Sequence, residues 1–445
     1  MKGSKPTDGD TSSQRPAGLQ SDRPAVSMPS AHGVPDRWFI LSLLLLNYFI
    51  LYTHRSVFTF IQTPLLKELN LSESQLHSAT LAWQITYSLS ALFVAYLSDR
   101  FRRRSILIVA LSLSTVLLAG IGCAQGFYDF LILRILSAAA QAASVPAIAG
   151  IMADCFTQQN RSRAVAIYLL SSPVAVVMAG WAGGTLADVF SWRVMIFWFA
   201  GLGLVVVATL CALLREPDRT ERGDTGLGKS GSTLVGTIQA VLIVPSFLLL
   251  GLAYVLVGNV WQQLSYFLPK HFEEHYGMNL GESGLMATLA PQIGAAIGIL
   301  TGGILADFLS RRHMSGRFLV QIAGLIIGVP AIFVIATVEH PIVIQTALFI
   351  CGVGVWLYFS NLWTTTFEVV DPAARSTAIG LLNVVSVLGT WPYPVIGYLR
   401  DTGSITDLRS VFLVYAIVLG VGAGLLVVLI VFTLRKDFRA TPQAD

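Results

Sequence analysis

Ala95-Tyr96-Leu97-Ser98-Asp99-Arg100-Phe101-Arg102-Arg103-Arg104 and Gly303-Ile304-Leu305-Ala306-Asp307-Phe308-Leu309-Ser310-Arg311-Arg312 are two copies of one cassette. Each closes a long apolar run in a chain otherwise poor in charge. A second pair keeps the same register: Asp154 stands seven residues before Arg161-Ser162-Arg163-Ala164, and Glu368 seven before Arg375-Ser376-Thr377-Ala378. The chain therefore reads as one membrane unit used twice, the arrangement of a carrier built around a central site.

Composition agrees. Hydrophobic residues make up 54% of the 445, charged residues only 12%, and the mean hydropathy is +0.68. At about 20 apolar residues per crossing, the length has room for roughly twelve spans. The expected fold is all-α and polytopic, with about twelve transmembrane helices in two pseudo-symmetric six-helix bundles at 37–217 and 237–436. Residues 1–36, rich in Ser, Pro, Gly and Asp without an apolar core, read as a disordered cytoplasmic tail and not a signal peptide. Residues 218–236 read as a cytoplasmic linker between bundles and 437–445 as a short cytoplasmic tail.

Basic residues accumulate on the cytoplasmic side of a membrane protein. Placing both termini there assigns it 22 of the 29 Lys and Arg, leaving Lys67, Arg193, Lys270, Arg400 and Arg409 outside and Arg55 and Arg134 within spans. The net charge of +4 thus reports topology and gives no argument for nucleic-acid binding. The four cysteines lack paired spacing, so neither a disulfide framework nor a metal site is expected. No Walker loop, His-Glu-x-x-His or nucleophile elbow is present, so the sequence offers no enzyme machinery and no cofactor.

An Asp at the cytoplasmic end of a helix can bond to a neighbouring helix N-terminus or to an Arg of the next loop, while the trailing Arg103 and Arg311 clusters anchor in anionic headgroups. The cassette then works as a cytoplasmic latch. Asp99 is expected to meet Arg161 or Arg163, and Asp307 to meet Arg375, closing the inner face when the protein opens outward. The competing reading is that these charges only stop transfer and fix topology.

The doubled Gly/Ala-x-Leu-x-Asp-x-x-x-Arg-Arg pattern, the six-plus-six spans and Arg134 on the fourth span resemble the major facilitator superfamily over essentially the whole chain after residue 36. The Arg-Ser-x-Ala starts of spans 5 and 11, Pro64-Leu65-Leu66-Lys67-Glu68-Leu69, and Gly397-Tyr398-Leu399-Arg400-Asp401-Thr402-Gly403 are most similar to the bacterial anion:cation symporters. Spinster-like lipid exporters come next. The resemblance implies a rocker-switch carrier with alternating access and, in most relatives, proton coupling.

Charges inside a membrane cost on the order of 3 kcal/mol each on insertion scales, so each needs a reason. Span 1 carries Tyr52-Thr53-His54-Arg55 and span 4 carries Arg134, with no Asp or Glu at comparable depth in this half. By helix rise, Arg55 lies roughly 26 Å from the inner surface and Arg134 roughly 10 Å from the outer one, so the two can converge. An anionic substrate would supply the missing charge, since the guanidinium fork binds two oxygens at once. The competing reading has each Arg bonded to helix carbonyls or snorkelling outward.

The chain departs from these relatives twice. Where they carry Asp-Arg on span 1 it has His54-Arg55, and seven residues after Arg134, where they carry Glu, it has Gln141. Both customary proton acceptors are missing. His54 is the candidate replacement, because imidazole titrates near neutrality, although it also reads as a neutral residue that orients Arg55. Tyr52, Gln84, Tyr87, Trp356, Asn361 and Asn383 join Arg55, Arg134 and Gln141 as candidate substrate contacts, because such groups would be poorly satisfied facing lipid. The expected function is secondary transport of a small organic anion, a carboxylate such as a sugar acid or dicarboxylate, across the bacterial inner membrane. Its expected partners are that anion, the bilayer and a co-transported proton or sodium ion, with the protein a monomer. A spinster-like exporter of an amphipathic lipid or drug is the first alternative, and a non-transporting sensor on the carrier fold the second.

Overall fold

The computed structural model describes residues 37–98, 102–156, 158–215 and 234–438. These form twelve helical passages: α1 (Arg37–Thr59), α2 (Glu73–Ser98), α3 (Arg103–Gly122), α4 (Phe127–Met152), α5 (Ile167–Val189), α6 (Trp192–Leu213), α7 (Pro245–Tyr276), α8 (Leu280–Ser310), α9 (Gly316–Thr337), α10 (Pro341–Val369), α11 (Thr377–Asp401) and α12 (Leu408–Asp437). All but α2 are long and apolar enough to cross a membrane by length and composition alone. The expected tail at 1–36, most of the linker and the end of the C-terminal tail lie outside the described residues.

Local sequence explains where passages begin and bend. Ser191 accepts from the Val194 amide (3.2 Å) ahead of α6, Asn279 from Glu282 (2.8 Å) ahead of α8, and Asp407 from Arg409 (3.0 Å) ahead of α12, each satisfying a helix-end N–H. A proline has no amide hydrogen and crowds the preceding turn. Accordingly α4 breaks at Ala143, three residues before Pro146, and α5 at Leu170, three before Pro173. The second half breaks at matching places: α11 through a 3-10 turn at Val387–Thr390 just ahead of Pro392, and α10 at Ser360–Asn361, where no proline follows within the passage.

One boundary differs from the sequence reading. The sequence reading left Lys270 outside the spans, but α7 runs past it to Tyr276, where Gly277 in the left-handed region (φ 63) returns its amide to Phe272 and Glu273. The extension carries Lys270, His271, Glu273 and Glu274. These charges look like loop by hydropathy, yet the first two are buried and Lys270 and Glu273 find partners on the other half.

The second half packs around one apolar core, from Phe247 and Val257 on α7 to Phe412 and Leu419 on α12. The first half has two, one around Leu65, Phe130 and Trp192 and another around Leu44, Leu111 and Ile148. Asn47, Thr53, His54, Ser114 and Thr115 are buried in α1 and α3 as well. Large apolar side chains such as Val109, Val116, Ile304 and Phe308 are more than half exposed, as expected of a surface that faces lipid.

The start of α1 and the finish of α12 mark one end of the bundle, its terminus end, and bonds that join the halves gather at the other. Gln62 donates to the Tyr266 carbonyl (2.8 Å), Thr63 to Glu273 (2.6 Å), and Glu73 pairs with Lys270 and, at 3.5 Å, with Arg400. Two helix starts are capped across the divide. Asp401, ending α11, accepts from the amides of Glu73 and Ser74 (2.9 and 3.0 Å) at the start of α2, and Asp188, near the end of α5, from those of Leu280 and Gly281 (3.1 and 2.9 Å) at the start of α8. The same device thus appears twice with the halves exchanged. Between the caps α5 and α8 touch backbone to backbone: a Cβ on Gly284 would stand 2.3 Å from the Gly180 carbonyl oxygen, and one on Gly184 2.4 Å from that of Leu280. The π-helical turn Ala179–Gly183 lies at this crossing.

At the terminus end, ion pairs run within each half. Arg103 opening α3 pairs with Asp154 beyond α4, and Arg317 opening α9 pairs with Glu368 on α10 at 2.8 Å. Arg317 also holds Asp307 at 3.0 Å. The Asp307–Arg375 contact, expected of the outward-open state, is not formed in this conformation. Arg317 starts the next helix and reaches both carboxylates, whereas Arg375 donates to the Phe367 carbonyl (3.0 Å) and lies over the Phe367 ring. Arg311 is exposed. The expected contact of Asp99 with Arg161 or Arg163 lies outside the described residues.

Candidate functional site

A cavity of about 180 Å³ lies between the halves, space on the order of ten waters or one compact solute. The first half contributes Tyr52, Arg55, Trp83, Gln84 and Arg134 to its lining, and the second Trp261, Gln262, Ser265, Gln292 and Tyr393. Tyr266 sits toward the sealed end, its hydroxyl 3.2 Å from Thr80 and its ring 4.9 Å from Tyr393. Among the described residues no Asp or Glu lines the cavity.

The two arginines are held mainly by aromatic faces. The Arg55 guanidinium lies 4.7 Å from the Trp83 ring centre, 5.4 Å from Tyr87 and 5.6 Å from Tyr52, and donates to Gln84 at 3.3 Å. Arg134 lies 4.2 Å from Phe58 and 5.4 Å from the same Trp83 ring. It is 4% exposed, and its Nε and Nη1 have no hydrogen-bond partner among the described residues. Since each guanidinium is about 5 Å from one shared ring, the two are no more than about 10 Å apart. Like charges at that separation repel by roughly 1.7 kcal/mol at an effective dielectric near 20. Cation–π contacts of about 0.5–2 kcal/mol each offset this, but they leave the N–H donors unused. An anion would complete the site by taking those donors and cancelling the repulsion.

Of the sequence candidates, the structure gathers Tyr52, Arg55, Gln84 and Arg134 at the cavity and places Tyr87 directly behind it, stacked on Trp83 with ring centres 5.1 Å apart. Trp356 stands behind another wall residue, edge-on to Trp261 at 6.2 Å. Gln141 is buried on α4, outside the lining. Asn361 donates to the carbonyls of Gly302 (3.2 Å) and Leu357 (3.1 Å), so it ties the break in α10 to α8, and Asn383 is exposed on α11. His54 also points elsewhere. Its fully buried ring places Nε2 3.1 Å from the Phe199 carbonyl on α6, and its neighbour Arg55 points into the cavity because successive helix residues diverge by about 100°.

Sequence reasoning did not select Trp83, Ser265, Gln292 or Tyr393. Trp83 forms a helical-face set with Thr80, Gln84 and Tyr87, but an aromatic at that spacing reads first as packing. Gln292 carried a clearer signal, an amide directly after Pro291 in the middle of an apolar passage.

The sequence profile of the Major Facilitator Superfamily matches residues 44–391. A Mycolicibacterium smegmatis protein named "MFS-type efflux pump" is 25% identical over 379 residues, covering 84% of this chain and 87% of its own. Xenopus tropicalis "Protein spinster homolog 1" is 25% identical over 395 residues, 83% of this chain and 74% of its own. The Escherichia coli "Probable galactarate/D-glucarate transporter GudP" is 23% identical over 396 residues, 82% and 87%. Among solved structures, a bacterial homolog of the human lysosomal transporter Spinster, in an inward-facing and unoccupied conformation, superposes with a TM-score of 0.76 at 20% identity, covering 92% of this chain and 100% of its own.

Proposed function

This chain belongs to the Major Facilitator Superfamily and is by that membership a membrane transporter, and we propose that its cargo is a small organic anion, a carboxylate such as a sugar acid or dicarboxylate. One observation carries the reading: two guanidinium groups meet at a cavity between the halves whose lining, among the described residues, contains no carboxylate. The charge lies wholly on the first half, and the second offers the neutral donors and acceptors of Gln262, Ser265 and Gln292. Such a division suits a hydroxylated acid, with its carboxylate charge held on the arginine side and the remaining oxygens read from across the divide. A sugar-acid carrier among the relatives supports this class.

A relative named as an efflux pump favours export, and a spinster-like exporter of an amphipathic lipid or drug is the second reading. A lining with two arginines and three glutamines argues against an acyl chain in this cavity, because each polar group left facing hydrocarbon would be unsatisfied. Alternating access would proceed by parting the caps and the glycine crossing while the terminus end closes. With both termini in the cytoplasm of a bacterial inner membrane, the sealed end faces outward, and the family default is import coupled to a proton or sodium ion.

The test is binding. Organic acids should raise the melting temperature of the purified protein, and Arg55→Lys or Arg134→Lys, which keep the charge but lose the fork, should weaken that binding tenfold or more, about 1.4 kcal/mol. Unchanged affinity in both variants would refute the cargo class. For orientation, a cysteine at Gln443 should label only after permeabilisation and one at Tyr128, 74% exposed at the start of α4, in intact cells.

A further inference from the structure

We propose that Trp83 is a positioning residue that sets the spacing of the two arginines and so selects cargo with two carboxylates over cargo with one. The proposal rests on the organic-anion reading above and deepens it. Three observations carry it. First, the Trp83 ring lies within cation–π range of both guanidinium groups, 4.7 Å from Arg55 and 5.4 Å from Arg134, so one rigid plate is the common neighbour of two like charges. Second, the plate is fixed: Trp83 is 3% exposed, and Tyr87 stacks on it with planes only 16° apart. Third, its indole N–H is buried with no hydrogen-bond partner among the described residues, on a ring that lines the cavity.

An unpartnered buried donor among neutral and cationic neighbours awaits an acceptor, and an acid oxygen supplies it. The fixed spacing does the discriminating. A single carboxylate satisfies one guanidinium and leaves the other unpaired beside it. A short diacid satisfies both, since about 6 Å separates the terminal carbons of a six-carbon chain built from bonds of about 1.5 Å, short enough for each carboxylate to take one fork. A wandering pair of arginines would lose this selectivity, because each could fold onto the same carboxylate.

The experiment compares two probes of equal chain length, galactarate with two carboxylates and gluconate with one, by calorimetric titration of the purified full chain. The wild type should bind galactarate at least tenfold more tightly. Trp83→Phe keeps the aromatic plate and loses the N–H, so both probes should weaken by a similar factor, about tenfold, with their ratio preserved. Trp83→Leu removes the plate, and the ratio should fall toward one. Should Trp83→Leu fail to fold, Tyr87→Leu, which frees the plate from behind, should lower the ratio in the same direction. A wild type indifferent to the second carboxylate, or a ratio that survives loss of the plate or of its support, overturns the spacing role. Unequal weakening of the probes in Trp83→Phe overturns the role of the N–H. If neither probe binds the wild type, the cargo class itself fails and the selectivity proposal with it, an outcome distinct from binding without selectivity.

Discussion

Gly284→Ala should push the transporter out of the conformation described here. A Cβ at this position would stand 2.3 Å from the Gly180 carbonyl oxygen and 2.6 Å from its carbon, both backbone atoms that no side-chain rotation can move. The helices must separate by roughly an ångström, and overpacking of this kind costs about 1–3 kcal/mol. In the alternative conformation, with α5 and α8 parted, the methyl group meets no such obstacle. The cost therefore falls on one state only, and the ratio of sealed to parted molecules should drop by about 5- to 150-fold. The assay is the distance between spin labels at Tyr128 on α4 and Ile342 on α10, both more than 70% exposed and on opposite halves. The distribution should shift toward the longer separation, and Gly184→Ala, whose Cβ would meet the Leu280 carbonyl at 2.4 Å, should act in the same way. Unchanged distributions in both variants would refute the view that this crossing holds the sealed state.

Arg317→Ala should leave Asp307 and the largely buried Glu368 without their shared partner, at a cost on the order of 3 kcal/mol. A melting temperature lower by several degrees, partly restored by adding Glu368→Gln, is the expected result. Asp401→Asn should weaken the cap on α2 and favour the parted state in the same spin-label assay, by less than the glycine variants, because the one remaining side-chain oxygen still accepts from one of the two amides of Glu73 and Ser74. His54→Gln should leave cargo affinity within about threefold and any pH dependence of uptake intact, since the ring turns to the Phe199 carbonyl and away from the cavity; loss of that dependence would return His54 to the coupling path.

The fold was legible because bilayer thickness imposes runs of about 20 apolar residues and because the cassettes at 99 and 307 mark the repeat. The extension of α7 was not. Hydropathy judges each residue against lipid or water, whereas Lys270 is buried by Glu73, a residue 197 positions earlier in the chain. The arginines stood out because an unpaired charge in an apolar run demands an explanation. Trp83 did not, since its importance lies in having two cations as neighbours, which only the packing of α1 and α4 against α2 creates. Arg317 was overlooked for a related reason: it lies outside the repeated cassette, and its two carboxylates arrive from different helices.

The pair of arginines also has an electrical consequence. An empty cavity carries a formal charge of +2, and a bound dianion brings it to zero. When the seal passes from one end of the protein to the other, the transmembrane voltage falls across a different part of the molecule, so the cavity exchanges one potential for the other. For a site charge of +2 that exchange is worth up to about 4.6 kcal/mol per 100 mV, while a dianion-loaded site feels almost none of it. In a cell that is negative inside, voltage would then act chiefly on the unloaded return and hold the empty carrier facing inward. One-for-one exchange of dianions, in which the carrier never returns empty, would escape that restraint.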